Sequence, residues 1–562
     1  MQDAREDQQV QRRWGEVVGL SGARFWACSP RAFRIFRILS GFGLLCLVGC
    51  ATGDSARLKS SREHFSKGEF ERAEGDLYSS EVLERKESRL QHFLWLASLG
   101  AGQRTYEKVL YYSDRARELA LELRSDRGGY DWLSSEYKSN PIEFSCLHYF
   151  LVISNLILAE DGASPQWSIP ELKLKNGTIL VPAQDFPART YTPREIAEFR
   201  MRARAELKAW NQFLEVLKRT YPNQPFYQED LLARLLGAFV HGGSSTLQEK
   251  RTGELLASDG LRFLDGHPGP SIFDENESGL RDFLKRLLDR ASSSKRENSH
   301  ERLVLIETGV MPELKPKKVI VGLSSIFERV EDPVLRAELE RIGFHVLIQF
   351  APEFGLIAFS GAVAGAISSG PDDAPKSLSG AIDRSFGFEI SFPAMEPGST
   401  VRNQKLILNG GDGKRFEFSL QPMGPIREIL SRELSKRREK EWSAKAVKIG
   451  VQYLSILIPA VAAYREATRE NNVFKKLAIL AGFFIAKKMI DRANAPDLRS
   501  WSLLPELISG NLLSIPPGSY SVEFSQIRGD LETKHSLGEW KLTENGPFFL
   551  HRRVFDSGAR DL

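Results

Sequence analysis

Along this 562-residue chain the apolar positions follow two rhythms in succession. Up to about residue 290 they recur every three or four positions, the period of helices that bury one face. The clearest stripe is Ile196, Phe199, Ala203, Leu207, Trp210, Leu214 and Leu217. Just before it, Thr192-Pro193-Arg194-Glu195 offers a threonine N-cap and a proline at the first helical position. Further helices are predicted near 227–240 and 246–264, with one more across Leu280 to Leu288. Pro141 to Ala159 reads as a strongly apolar helix. Residues 161–192, broken by Pro165, Pro170, Pro182 and Pro187, read as a long loop with a short β-hairpin around Asn176-Gly177.

Nearer the start, Gly68-Glu69-Phe70-Glu71-Arg72-Ala73 matches the tetratricopeptide pattern. There the glycine opens an inter-helix turn, the aromatic packs between helices and the alanine permits close approach. A second unit follows, with Phe93, Leu94, Leu96, Ala97 and Leu99 on one helix and Tyr106 and Ala116 on the next. Phe70 and Tyr106 are 36 residues apart, close to the repeat length of about 34. A generic array of helical hairpins is the plainer alternative.

The rhythm shortens after the polar linker 292–300. "RLVLIETGVMPELKPKKVIVGL" predicts two strands flanking a turn. Strands are also predicted at Phe388 to Phe392, Lys405 to Leu408 and Arg415 to Leu420, with 409–414 (NGGDGK) as a hairpin turn. A charged helix, Arg427 to Lys445, then precedes two apolar helices at 446–465 and 473–490. Strands return at Leu512 to Ile515, Ser519 to Gln526, Trp540 to Leu542 and Phe548 to Val554. The pattern predicts an α+β protein. A tetratricopeptide-like helical repeat domain would cover 57–290, and a β-rich, sandwich-like domain 301–555 would carry a helical insertion at about 424–495.

One greasy stretch stands outside this scheme. Ile38 to Gly49 is apolar and follows the basic run Arg31 to Arg37. It is too short for a bilayer span of about 20 residues and suits the core of a signal peptide. It ends in Leu47-Val48-Gly49-Cys50, which resembles the bacterial lipoprotein box. That resemblance implies cleavage between Gly49 and Cys50, a diacylglycerol on the Cys50 sulfur and acylation of the new N-terminus. Residues 1–49 are then a leader and 50–56 a tether. Several acyl chains, at about 0.8 kcal/mol per buried CH₂, hold a protein at a membrane almost permanently. Ala51, rather than Asp, implies sorting to the outer membrane with the body facing the periplasm. Thirty residues precede Arg31 and the next methionine is Met201, so either the leader is unusually long or translation begins at a non-ATG codon.

Charge and cysteine usage then remove function classes. Residues 1–49 hold seven Arg against four acidic residues, which leaves the remainder close to neutral. Such a body has no basic excess for nucleic acid. After cleavage only Cys50 and Cys146 remain, with no CxxC spacing, and the nine His are scattered, so no metal or cofactor is expected. Cys146 falls on an apolar segment and reads as an inert buried thiol. G-x-S-x-G, H-E-x-x-H and Walker-type motifs are absent. His241 to Ser245 (HGGSS) reads as a helix end followed by the cap of the next helix. No catalytic residue is assigned.

Ile449 to Tyr464, Leu477 to Ala486 and Phe354 to Ser369 all fall short of a spanning helix. They read either as packed core helices or as a hairpin docking its apolar face on a membrane or partner, with Lys475, Lys476, Lys487 and Lys488 at the interface.

Three motifs carry a wider resemblance. They are Glu307-Thr308-Gly309-Val310-Met311-Pro312, then Asp497-Leu498-Arg499-Ser500-Trp501-Ser502-Leu503-Leu504-Pro505, then Pro516-Pro517-Gly518-Ser519-Tyr520. In order and spacing the chain resembles an uncharacterised family of bacterial lipoproteins with tetratricopeptide-like helices followed by a β-rich domain. It departs from that family at Thr308, where asparagine is usual, and across 322–387. The resemblance implies no enzyme activity and a setting in cell-envelope assembly. Physically, Gly309 and Gly518 are expected to permit turns, Trp501 and Leu504 to anchor a core, and Asp497 and Arg499 to pair or cap a helix. The expected role is a periplasm-facing outer-membrane lipoprotein that binds an envelope protein. The rivals are an envelope enzyme acting on glycan through two carboxylates in a cleft, or a secretion or export component.

Overall fold

A computed structural model describes residues 53–78, 88–125, 140–174, 176–220, 230–265, 276–292, 301–321, 388–396, 401–411, 413–496, 498–528, 531–543 and 548–555. Gly49, Cys50, Asp497 and Phe354 to Ser369 lie outside these residues, so the expectations placed on them do too.

Helical hairpins open the fold. α1 (Gly53–Ser66) and α2 (Phe70–Leu77) turn at Gly68, whose φ of 75° is the left-handed conformation that glycine adopts without a Cβ clash. α3 (Arg89–Gly102) and α4 (Tyr106–Ser125) form the next pair. The Phe70 ring lies so close to Gly102 that a Cβ there would stand 2.6 Å from it. α5 (Pro141–Asp161) begins at a capping box in which Asn140 accepts the Glu143 N–H (2.8 Å) and the Glu143 carboxylate accepts the Asn140 N–H (2.9 Å). By length and composition α5 could cross a membrane, but its apolar window is wholly buried; α4 and α6 (Pro193–Thr220) pack against it.

α6 (Pro193–Thr220) buries Phe199, Ala203, Leu207, Trp210, Leu214 and Leu217, as its stripe predicts. Thr192 and Glu195 cap it reciprocally. α7 (Leu231–Gly242), capped by Asp230, leads to α8 (Leu247–Asp265) and α9 (Glu277–Ser292).

The segment read as a long loop is a β-arm. β1 (Ala163–Ser164) pairs with β6 (Arg189–Thr190), β2 (Trp167–Ile169) with β5 (Gln184–Phe186), and β3 (Leu172–Lys173) with β4 (Ile179–Val181), all antiparallel and nested around the predicted turn. Gly177 sits at that turn with φ of 87°. The pieces are two or three residues long, too short for an alternating pattern to announce them. Trp167, Ile169, Leu172 and Val181 bury their side chains in the helical core.

The strand half begins with β7 (Glu301–Thr308) and β8 (Lys315–Val321). The sequence pattern has these two flank one turn, yet they enter different sheets. β8 pairs with β9 (Phe388–Ala394). The remaining strands are β10 (Val401–Gly410), β11 (Arg415–Ser419), β12 (Gln421–Gly424), β13 (Leu507–Ser514), β14 (Gly518–Arg528), β15 (Leu531–Leu542) and β16 (Phe549–Val554). They build two four-stranded sheets, ordered β12-β13-β7-β16 and β11-β10-β14-β15. β7 is central because both of its faces are apolar. Leu303 and Leu305 point into the helical core, while Val304 and Ile306 meet Leu408, Val522 and Phe524 of the second sheet. Helices and first sheet therefore share one core, and a second core lies between the sheets.

The charged and first apolar helices predicted after residue 426 are one helix, α10 (Ile426–Arg469), followed by α11 (Val473–Ala493). The expected break at Lys445 does not occur, since no Gly or Pro stands there to stop a helix; Pro459 lies within it. Gln452–Ile490 falls in a different compact unit from the remainder of the described residues. Inside it Tyr453 packs against Phe483 with ring centroids 5.7 Å apart, and the Lys476 ammonium lies 5.8 Å from the Tyr464 ring centroid.

Candidate functional site

The structure brings two of the three motifs together. Gly309 has φ of 72°, and a Cβ there would come within 2.9 Å of Glu506. The Met311 N–H donates to the Leu504 carbonyl (2.9 Å), and the Glu506 N–H donates to the Thr308 carbonyl (3.0 Å). Glu506 also accepts from Arg427 (2.7 Å) and Arg528 (3.0 Å). Pro312 follows in the coil before β8, Pro505 is buried and Arg499 is half-buried. The third motif sits at the far end of β13. Gly518 does not make a left-handed turn; it is the first residue of β14 and leaves room for the Tyr520 ring, which would lie 3.1 Å from a Cβ. Glycine is needed there for space, not for φ.

Trp501 enters the helical core. Its indole N–H donates to Ser98 Oγ (2.7 Å) and its backbone N–H to Glu143 Oε1 (2.6 Å), while Gln91 donates to the Ser500 carbonyl (2.8 Å). Its ring lies 5.2 Å from that of Phe150. Glu143 thus caps α5 with one oxygen and holds the incoming strand segment with the other. Leu504, 1% exposed, packs in the same core.

Beside this wedge lies a buried polar network that the sequence did not announce. Glu307, 0% exposed on β7, accepts from Tyr149 on α5 (2.8 Å) and from His551 Nε2 on β16 (2.8 Å). The Tyr106 hydroxyl bonds His551 Nδ1 (3.2 Å), and the Arg553 guanidinium stands 3.6 Å from Glu307. Burial pushes the Glu307 carboxyl up, but His551, Arg553 and Tyr149 outweigh it and hold it below the usual range. The network fixes one alignment of helices on sheet. Two smaller clusters behave alike: His148 and Arg117 clasp Glu206 (2.5 and 2.7 Å), and His241 bonds Glu249. Burial raises the Cys146 thiol well above its usual range, which makes it inert.

The open site is a cleft of about 250 Å³ between the β-arm, α4 and α6. Trp167 stacks on its cross-strand partner Phe186 with centroids 3.9 Å apart, and Tyr111 meets both rings edge-on at 6.2 and 6.5 Å. Glu107 accepts from Trp167 Nε1 (3.0 Å) and from Arg189 Nε (3.0 Å). Arg189 also stands 3.7 Å from Glu195, and Arg202 lies over the Phe199 ring. Burial raises the Glu107 carboxyl, but the bonds from Trp167 and Arg189 overcome it and leave it lowered. Glu195 is lowered by its capping bonds from Thr192. Both carboxylates are therefore held as anions, suited to binding rather than to donating a proton. In the sequence Glu195 and Phe199 stood out only as cap and core positions of α6, and the arm's aromatics fell in the supposed loop; two large aromatics in a proline-rich stretch were the available signal. Among the described residues no group of His, Cys, Asp and Glu could hold a metal ion.

Fold and site define a mixed α+β protein with an aromatic-walled, charge-locked surface cleft. Comparison with family models, curated proteins and solved structures finds no match.

Proposed function

We propose that this protein is an outer-membrane lipoprotein, anchored through acylated Cys50, whose periplasmic body is a non-enzymatic protein-binding scaffold in cell-envelope assembly. On this reading the hairpins before residue 293 are tetratricopeptide-like repeats, the two four-stranded sheets form a sandwich, and the chain belongs with the lipoprotein family its three motifs resemble. The observation that carries the binding role is the arm cleft. Its rings and fixed charges offer a partner apolar contact and directional hydrogen bonds at once, the makeup of an interface centre. Two of its three lining carboxylates, Glu107 and Glu195, are lowered, whereas a glycosidase needs one carboxylic acid raised.

A photo-crosslinker at Arg202, beside the cleft, tests the role in native membranes. Capture of one envelope protein, lost when the half-buried Phe186 is changed to Ala, is the expected result. Recovery of glycan fragments or of nothing overturns it. Labelled palmitate incorporated by the wild type and not by Cys50→Ala tests the anchor; unlabelled, full-length protein in the cytosol overturns that part.

A further inference from the structure

A second cavity, of about 180 Å³, lies between the α3–α4 turn, the end of α5, and strands β15 and β16. It shares no lining residue with the arm cleft. Two guanidinium groups line it. Arg104 is held in the turn at φ of 59°, a left-handed conformation that a side chain with a Cβ adopts only under strain. Arg552, half-buried, rests 5.7 Å from the Trp540 ring centroid, and its side chain's only hydrogen bond among the described residues goes to the carbonyl of His551 (2.8 Å). Each arginine feels the other's charge, and neither forms an ion pair with a carboxylate among the described residues. Asp161 attracts both from the same wall without pairing with either. The Trp540 indole N–H is buried with no partner among the described residues.

Two like charges facing a partly desolvated cavity call for an anion, and guanidinium forks fit a carboxylate or a phosphate. The charge count limits which anion. Glu160 is occupied by Arg200 at 3.6 Å and by the Phe548 N–H at 3.2 Å, and on the rim Lys541 balances Glu539. Asp161 offsets one guanidinium, so a single positive charge remains. The rest of the wall is apolar, from Ile157, Leu542, Phe549 and Leu550. We propose that this cavity binds one carboxylate carried on a small apolar body, with the arginines on the carboxylate and the aliphatic wall on the body. The C-terminal residue of a peptide and a free branched organic acid both present that chemistry.

Calorimetric titration of the full chain in detergent decides the matter, with acetyl-Leu-Leu, its C-terminal amide, isovalerate and inorganic phosphate as probes. The free-acid peptide is expected to bind and the amide to bind at least about tenfold more weakly, since the charge-assisted pair is lost. Arg104→Gln, an exposed change that leaves the core alone, is expected to weaken the acid by about tenfold. Asp161→Asn is expected to tighten it by a few-fold, an effect that a purely structural aspartate would not give. Peptide tighter than isovalerate identifies a chain terminus; equal affinity identifies a free acid. Equal binding of acid and amide, phosphate tighter than either acid, no effect of Arg104→Gln, or no heat at millimolar probe overturns the proposal.

Discussion

The body and the hairpin Gln452–Ile490 differ in degree: both expose apolar side chains, up to 66% at Leu247 and Leu531 in the body, but only the hairpin leaves a phenylalanine almost fully in solvent among the described residues. In the body, Glu143 (2% exposed), Glu307 (0%) and Arg302 (1%) are buried charges; Glu143 and Glu307 are tied to partners across the helix–sheet boundary, and Arg302 to carbonyls at the ends of strands. In the hairpin, Phe474 (87%) and Met489 (59%) are apolar and face solvent. Buried charges are costly unless their bonds are met, so the body's boundary tolerates only one alignment. Exposed apolar groups cost little in a fold and specify nothing by themselves; they become useful when something covers them. The body's buried charges thus specify one alignment, whereas the exposed apolar groups of the hairpin specify none.

Trp501→Ala attacks the body where it is most dependent. It empties a site in the helical core and removes the bond to Ser98, so a loss of about 3–5 kcal/mol is expected in denaturant titration. Trp501→Phe, which keeps most of the ring, isolates the bond at about 1–2 kcal/mol.

Glu307→Gln leaves Arg553 buried beside a neutral amide and is expected to cost about 3 kcal/mol at neutral pH. Because the native Glu307 carboxyl is lowered, its contribution is complete above the unfolded value of 4.5 and fades as pH falls through the lower native value. Thermal melts of variant and wild type should therefore converge on acidification. A constant gap down to about pH 2 would show that Glu307 does not act through its charge.

Asp230 is the opposite case within the same body. Burial pushes its carboxyl up to about 6 from 3.8, so the native state is penalised while the group is ionised. Asp230→Asn keeps an N-cap acceptor for the Ala233 N–H. It is expected to stabilise the protein by about 1–3 kcal/mol above about pH 6, with the gain shrinking between pH 6 and 3.8. Melting temperatures across that window check both sign and range.

How much of this was legible in the sequence follows from which signals are local. The α6 stripe, its Thr192 cap and the turn at 409–414 depend on neighbours in sequence and could be read directly. Of the β-arm only the turn at Asn176-Gly177 could be read, because pieces of two or three residues carry no period. The partition of β7 and β8 into different sheets also escaped, because pairing partners such as Leu303 with Phe549 are set by tertiary contacts. Trp501 was legible as an anchor, yet its sockets, Ser98 and Glu143, lie hundreds of residues away. The arm cleft and the Arg104–Arg552 cavity are each assembled from several separate stretches of chain, and no spacing rule connects them.

The smallest predicted effect on stability tests the other side of the comparison. On α11 the positions Phe474, Ala478, Ala481, Ile485 and Met489 are all exposed and step by three or four, so they share one face. If that face contributes nothing to the fold, Phe474→Ser with Met489→Ser should change stability by no more than about 0.5 kcal/mol. The same pair of changes removes the two most exposed large apolar groups among the hairpin's described residues. In a Cys50→Ala background, free of any acyl chain, it should therefore lower the detergent needed for monodispersity in size-exclusion chromatography. Stability and solubility then move independently, as the contrast between body and hairpin requires. A loss of several kcal/mol instead would mean that the face is core, and that the hairpin obeys the same rule as the body.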